Sequence, residues 1–305
     1  MYHFIVNPNS RSGSGIHIWY QIEPIIKESK CLYNLFFTKY QGHATAITSR
    51  ITSDNQLHTI IILGGDGTVN EVVNGISNFA NTTIGYIPSG SSNDFARGLG
   101  LTTDPKKAII KILNPLTFQF IDIGTLIYEN KIRKFAVSAG VGLDAAICHQ
   151  VVVSKLKTIL NKIGLGKLTY AGVALNQIII SSPKHMSLIL DHDKKFEFKS
   201  AYMAAIMNVC YEGGGVKFCP RAVPNDGKLD ILVLADIPKL KILTLLPTAF
   251  MGKHIHFKGV HTYTCRDISI HLESPQPAHT DGEPVSLQQH ISACCADSQL
   301  RIIST

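Results

Sequence analysis

The chain has 305 residues, 45% hydrophobic and 17% charged, with 29 Lys and Arg against 22 Asp and Glu, a formal net charge of +7. That length exceeds one ordinary core and suits two domains, and the composition excludes a disordered chain. The longest apolar runs, such as Thr59–Leu63 and Ile231–Ala235, fall far short of the roughly 20 residues that a membrane-spanning helix needs.

The N-terminus, Met1–Pro8, reads as a strand and a turn and not as a secretion signal. Seven scattered cysteines without a CxxC pair fit reduced thiols in a cytosol. In chain order, Tyr2–Val6 is an apolar, β-prone strand, Ile16–Glu28 a helix and Leu32–Phe37 a second strand. Helical character follows at His43–Thr52. Thr59–Leu63 reads as a strand buried on both faces, Val69–Phe79 as a helix and Thr83–Ile87 as a strand. This βαβα order predicts a parallel sheet with helices on both sides and a ligand site at the carboxyl edge of its strands.

After about Phe120 the texture becomes β-rich. Strands are expected at Lys134–Ser138, Ser187–Leu190, Phe196–Asn208, Leu229–Leu234 and Asp267–Leu272, with helical segments at Leu143–Thr158 and Leu168–Ile180. That spacing predicts a β-sandwich. We therefore expect an α/β domain at 1–122 and a sandwich at 123–284; a last strand, Gln299–Ile303, can return to either domain, and the segment of about 285–305 that holds it is expected to be able to rejoin the first.

Five segments carry chemistry. Gly64-Gly65-Asp66-Gly67-Thr68-Val69-Asn70-Glu71 lies between the buried strand and the next helix. Its glycines permit close approach to a ligand, and the helix start offers amides to phosphate oxygens. A carboxylate beside polyphosphate needs a cation or a substrate hydroxyl between them, so Asp66 is a candidate for a Mg²⁺ network or a general base. Pro88–Arg97 adds small hydroxyl residues, Ser91 among them, and a second carboxylate, Asp94. The first loop, Asn7-Pro8-Asn9-Ser10-Arg11 and on to Gly15, suits an anion-binding turn. Asp281-Gly282-Glu283-Pro284 places two carboxylates about a glycine turn, where one can accept a proton from an attacking hydroxyl. Asp226-Gly227-Lys228-Leu229-Asp230 reads as a hairpin turn whose carboxylates can hold a hard cation.

Together and in this order, these segments resemble the bacterial diacylglycerol kinase and lipid kinase family, related to the sphingosine and ceramide kinases. The glycine-rich octet is shared with NAD kinases and resembles phosphofructokinases. The Asn93–Arg97 and Asp281–Glu283 segments narrow the resemblance to lipid kinases. The resemblance implies an α/β nucleotide-binding domain, a β-sandwich, and ATP in a cleft. ATP contacts are implied at Asn7, Pro8, Asn9, Ser10, Arg11, Thr38, Gly64–Glu71 and Ser91, where many relatives have Thr. An aspartate–water–Mg²⁺ network is implied at Asp66, Asp94 and Asp226, with a structural Mg²⁺ at Asp226 and backbone oxygens near Val223 and Lys228. Glu283 is the implied base, supported by Asp281. The implied setting is the cytoplasm, peripherally at the inner membrane face, with a lipid substrate, no nucleic acid, and a homodimer as an unsurprising state. Lys155, Lys157, Lys162 and Lys167, interleaved with Leu and Ile, read equally as an interfacial patch or as a solvated helix face. An NAD kinase and a non-catalytic nucleotide- or lipid-binding regulator are the rival readings.

Overall fold

The computed structural model describes the backbone of residues 1–153 and 166–305, and the side chains of residues 1–150 and 172–305. Lys155, Lys157 and Lys162 lie outside the described residues, and so does the side chain of Lys167. The chain forms two compact units, Met1–Ile123 with Asp297–Thr305, and Gly124–Ala296.

The first unit is built on strands β1 (Tyr2–Val6), β2 (Tyr33–Phe37), β3 (His58–Gly64), β4 (Thr82–Pro88) and β5 (Phe118–Ile121), joined by the C-terminal strand Leu300–Ile303. The sheet order is β2-β1-β3-β4, then the C-terminal strand, then β5. The first four strands and the C-terminal strand run parallel, and β5 is antiparallel to its neighbour. Helices α1 (Ser10–Glu28), α2 (His43–Ile51), α3 (Asp66–Gly75), α4 (Asp94–Gly98) and α5 (Pro105–Leu113) connect them. On one face Phe4, Val6, Ile61 and Leu63 pack with Trp19 and Ile22 of α1 and Ile109 of α5. The alternating residues Ile5, Ile60 and Ile62 are equally buried, because successive strand side chains point to opposite faces. A sheet covered on both sides therefore reads as an unbroken apolar run, as His58–Gly64 does.

Local chemistry moved several expected boundaries. Helix α1 begins at Ser10 instead of Ile16, although Arg11, Ser12 and Gly13 have positive φ and break its first turn. Helix α3 starts at Asp66, directly after the strand, with Gly65 as its N-cap.

The second unit contains β6 (Gly124–Tyr128), β7 (Lys131–Phe135), β8 (Ser138–Gly142), β9 (Lys184–Leu190), β10 (Lys194–Met207), β11 (Leu229–Ala235), β12 (Val260–Cys265), β13 (Asp267–Thr280) and β14 (Glu283–Cys295). The long strands β10 and β13 each pair with both β8 and β9. They enclose a core that includes Leu188, Ile206, Ile231, Ile270 and Ile291. Helices α6 (Leu143–Val153), α7 (Gly166–Ile180) and α8 (Lys239–Phe250) belong to this unit.

Two expectations are corrected here. The strand expected at Lys134–Ser138 is split into β7 and β8, because Ala136, Val137 and Ser138 give their amides to the Asp281 carboxylate instead of to a ladder. The return to the first unit begins at Asp297 and not near 285. Residues Glu283–Cys295 are committed to pairing with β13 by the two-residue turn that precedes them.

Candidate functional site

The first unit gathers its motif residues at the carboxyl ends of β1, β3 and β4. Strand β1 has β2 on one side and β3 on the other. The chain therefore leaves these neighbours in opposite directions, and such a switch point opens a crevice above the strand ends. Three loops are knitted together there. Asn7 Nδ2 donates to Thr68 Oγ1 at 3.1 Å, and Asn7 Oδ1 accepts from the Asn9 amide at 3.1 Å. The Ser10 and Ser89 hydroxyls lie 2.7 Å apart. A Cβ on Gly65 would stand 3.1 Å from Gly90 Cα, and one on Gly90 would stand 2.6 Å from Gly65 Cα. Two backbones meet at that point, and only glycine allows it.

The carboxylates hold helix starts. Asp66 Oδ2 accepts from the Asp94 amide at 3.0 Å and Oδ1 from the Phe95 amide at 3.1 Å. Asp66 therefore caps a helix other than its own, the short α4, whose N-cap Asn93 has a φ of 53° and makes no side-chain cap bond. Asp94 is buried and paired with Arg97 at 2.5 Å. Glu71 Oε2 accepts from the Ala44 amide of α2 at 3.0 Å. Tyr86 donates to the Gly64 carbonyl at 3.2 Å. Burial, and then the charges of Asp66 and Asp94, hold its hydroxyl well above the usual phenol pKa.

Of the remaining expected contacts, the Thr38 amide donates to the Val6 carbonyl at 2.9 Å, which sets Thr38 beside the first loop. Pro8 and Arg11 flank Ser10 in that loop, Gly67, Val69 and Asn70 lie in the first turns of α3, and Ser91 lies in the loop before α4. The opening turn of α3 lies at the carboxyl end of β3, and the start of a helix favours anions.

The second unit holds the other expected residues in two places. Asp281 and Gly282 have φ of 49° and 77°, as a tight hairpin turn requires, and they join β13 to β14 just before Glu283. The Asp281 carboxylate is buried and accepts the amides of Ala136, Val137 and Ser138 at 3.0, 2.8 and 2.9 Å. In the loop before β11, Asp226 Oδ1 accepts from the Lys228 amide at 3.0 Å. Asp230 accepts from Thr264 Oγ1 at 2.9 Å. Its pKa is raised by burial and by the Asp226 charge, with the Val223 amide acting in the opposite sense. The Asp226 and Asp230 carboxylates therefore lie close enough to interact.

The sequence did not reveal a buried cluster formed by Asp144, Glu212 and His279. The His279 imidazole lies 2.7 Å from Asp144 Oδ2 and 3.4 Å from Glu212 Oε1 through Nε2, and its Nδ1 accepts from the Gly282 amide at 3.1 Å. Burial lowers the His279 pKa, while Asp144 and then Glu212 raise it. The Gly282 N–H points at Nδ1, so the ring is neutral, with its proton on Nε2 toward Asp144. Cys148 lies one helical turn from Asp144, and the four donor atoms are within 4.8 Å of one another. A metal ligated by Nε2 would require that proton on Nδ1. We therefore read the cluster as hydrogen-bonded and not as a cation cage. Asp122, also buried, accepts from Gln299 Nε2 at 2.8 Å. No local pattern marks these residues, since Asp144 and His279 are 135 positions apart.

Beside Asp144 is an apolar cavity of about 100 Å³, lined by residues that include Leu143, Ile178, Leu232, Leu245 and His254. Burial lowers the His254 pKa, which favours the neutral ring. Among the described residues, no helix is long and apolar enough to cross a membrane.

Comparison with known proteins bears on both units. Residues 1–125 match the diacylglycerol kinase catalytic domain, and residues 136–303 match the YegS C-terminal NAD kinase beta sandwich-like domain. The chain is 30% identical over 285 residues to YtlR of Bacillus subtilis, a lipid kinase by name, with 92% of each chain covered. It is 30% identical over 227 residues to the diacylglycerol kinase of Bacillus subtilis, covering 73% of this chain and 70% of that one. A solved diacylglycerol kinase from Bacillus anthracis superposes with a TM-score of 0.72 at 21% identity, covering 100% and 96% of the two chains. An NAD kinase from Archaeoglobus fulgidus, solved with ATP, shares the fold at a TM-score of 0.54 and 10% identity, covering 100% and 94%.

Proposed function

The chain belongs to the diacylglycerol kinase family of lipid kinases, and from that premise we propose that it transfers the γ-phosphoryl group of ATP to a lipid hydroxyl, diacylglycerol first among the acceptors. The observation that carries the lipid half of this reading is the apolar cavity with Asp144 in its wall. Such a cavity receives part of an acyl chain. The nucleotide half rests on the crevice of the first unit, where glycine loops and the start of α3 suit phosphates. The lipid is taken from the cytoplasmic face of the membrane.

In this reaction the lipid oxygen attacks the γ-phosphorus, the bond to the β–γ bridging oxygen breaks, and ADP leaves. The hydroxyl proton passes to the Glu283 carboxylate. Asp281 fixes the turn that presents Glu283, through its three backbone bonds. Asn7, Thr68 and the Gly65–Gly90 contact shape the phosphate loops, and Asp66 and Asp94 set the start of α4. Mg²⁺, when bound, neutralises phosphate charge. Asp226 and Asp230, with backbone oxygens near Val223 and Lys228, would hold a structural ion. Most of the rate enhancement then comes from positioning and charge neutralisation.

The test is phosphoryl transfer from labelled ATP with Mg²⁺ to a panel of lipids in mixed micelles, with NAD as a parallel acceptor. Transfer to a lipid that is lost in Glu283→Gln supports the reading. Nucleotide binding without transfer to any lipid would refute it in favour of a regulator, and transfer to NAD alone in favour of an NAD kinase.

A further inference from the structure

His279 is fully buried on β13, and nothing in the reaction outlined above uses it. One ring nitrogen faces the Asp144 and Glu212 carboxylates at 2.7 and 3.4 Å. The other accepts from the amide of Gly282, the residue immediately before Glu283, at 3.1 Å. Asp144 also lines the apolar cavity. A single imidazole thus touches both the cavity wall and the turn.

The surrounding backbone is shaped for this contact. A Cβ on Gly140 would lie 2.4 Å from Asp144 Oδ2 and 2.6 Å from His279 Nε2, so only glycine leaves room for the pair. On the far side of the turn, Asp281 is anchored to the amides of residues 136–138. The Asn208 side chain donates to the Ala136 carbonyl at 2.9 Å and holds that loop in its turn. The turn is therefore fixed at two successive residues by two separate partners. Asp281, a non-glycine residue at positive φ, keeps its geometry only while its surroundings over-determine it.

We propose that His279 is a positioning residue that ties the Asp144 wall of the lipid cavity to the Asp281–Gly282–Glu283 turn. It touches neither ATP nor the reacting oxygen. It acts by holding the Gly282 amide, and through it the direction in which Glu283 points. Asp144 is a wall residue of the apolar cavity and its carboxylate orients the imidazole, so the cavity wall and Glu283 belong to one hydrogen-bonded arrangement. This inference rests on the reading of Glu283 as the base.

The full-length protein with two half-substitutions provides the test. His279→Gln keeps a donor for Asp144 and loses the acceptor for Gly282. His279→Asn keeps an acceptor at the Nδ1 position and loses its reach to Asp144. The first should leave the thermal midpoint near that of the wild type. It should also speed hydrogen exchange at the Gly282 amide and lower kcat roughly 10–100-fold, the usual cost of a lost outer-shell orienting contact, while KM for ATP stays within about twofold. His279→Asn should restore Gly282 protection and recover part of kcat. Wild-type kcat in His279→Gln, or unchanged Gly282 exchange, would overturn the proposal. So would equal losses of kcat in both variants that follow thermal stability alone. If the wild type phosphorylates no lipid, the base reading fails by itself, and Gly282 exchange still decides whether His279 holds the turn.

Discussion

In the first unit the chemistry-bearing side chains come from three loops at one sheet edge, and each loop follows a strand directly. In the second unit, Asp144, Glu212 and His279 come from a helix, a loop and the end of a long bent strand, and they are buried. A parallel sheet brings its loops together automatically, because all its strands end on the same side. An antiparallel unit has no such edge, so its polar cluster depends on how α6 packs against β13 and β8. The first unit should therefore tolerate changes beside its loops, whereas the second should be sensitive to single buried substitutions.

The sharpest break is at the turn. Glu283→Gln should lower lipid phosphorylation by roughly 10²–10⁴-fold, the span general-base removal usually costs, with ATP binding by calorimetry unchanged. Retained turnover would shift the base role elsewhere.

Filling the cavity comes next. Ala249 and Ala174 both line it, and Ala249→Phe should raise KM for long-chain lipids about tenfold or more while sparing a short-chain acceptor. Equal effects on both chain lengths would mean that the cavity does not receive the acyl chain.

In the first unit, Gly90→Ala must push the Gly65 backbone away from a 2.6 Å approach. Overpacking of this kind costs about 1–3 kcal/mol. ATP affinity should fall with stability, and a normal affinity would show that the Gly65–Gly90 contact is not needed for nucleotide. Asp66→Ala removes two amide partners from α4 and should cost about 1 kcal/mol as a lost cap. Denaturant midpoints measure it.

The smallest effect is a pH dependence. The folded pKa of His254 lies below its ordinary value because of burial. The unfolded chain therefore takes up the proton first, and stability from this group is full above roughly pH 6.5 and declines as pH falls below it. His254→Gln keeps a donor for the Phe218 carbonyl, 3.0 Å away in the native protein, and should flatten the acid limb of the thermal midpoint. An identical limb would assign it to other groups.

Much of the first unit was legible from the chain alone. The apolar run at His58–Gly64, the glycines that follow it and the alternation of strand and helix predict both the sheet and the edge where Asn7, Gly65 and Ser91 lie. Periodicity and turn chemistry are local signals, and a parallel sheet converts them directly into place. The Asp281–Gly282 pair was similarly readable as a tight turn between strands.

Tertiary structure alone decided what the carboxylates do. Nothing local says that Asp66 caps α4, that Asp281 takes three amides from residues 136–138, or that the expected strand Lys134–Ser138 is broken as a result. Helix α8 was not expected either, because its leucines carry no strong one-sided pattern, and yet it supplies Leu245 and Ala249 to the cavity. The hydrogen bond between His279 and Asp144 joins positions 135 residues apart. A contact of that span leaves no period in the sequence, because it forms only when a helix packs over strands whose register is already set.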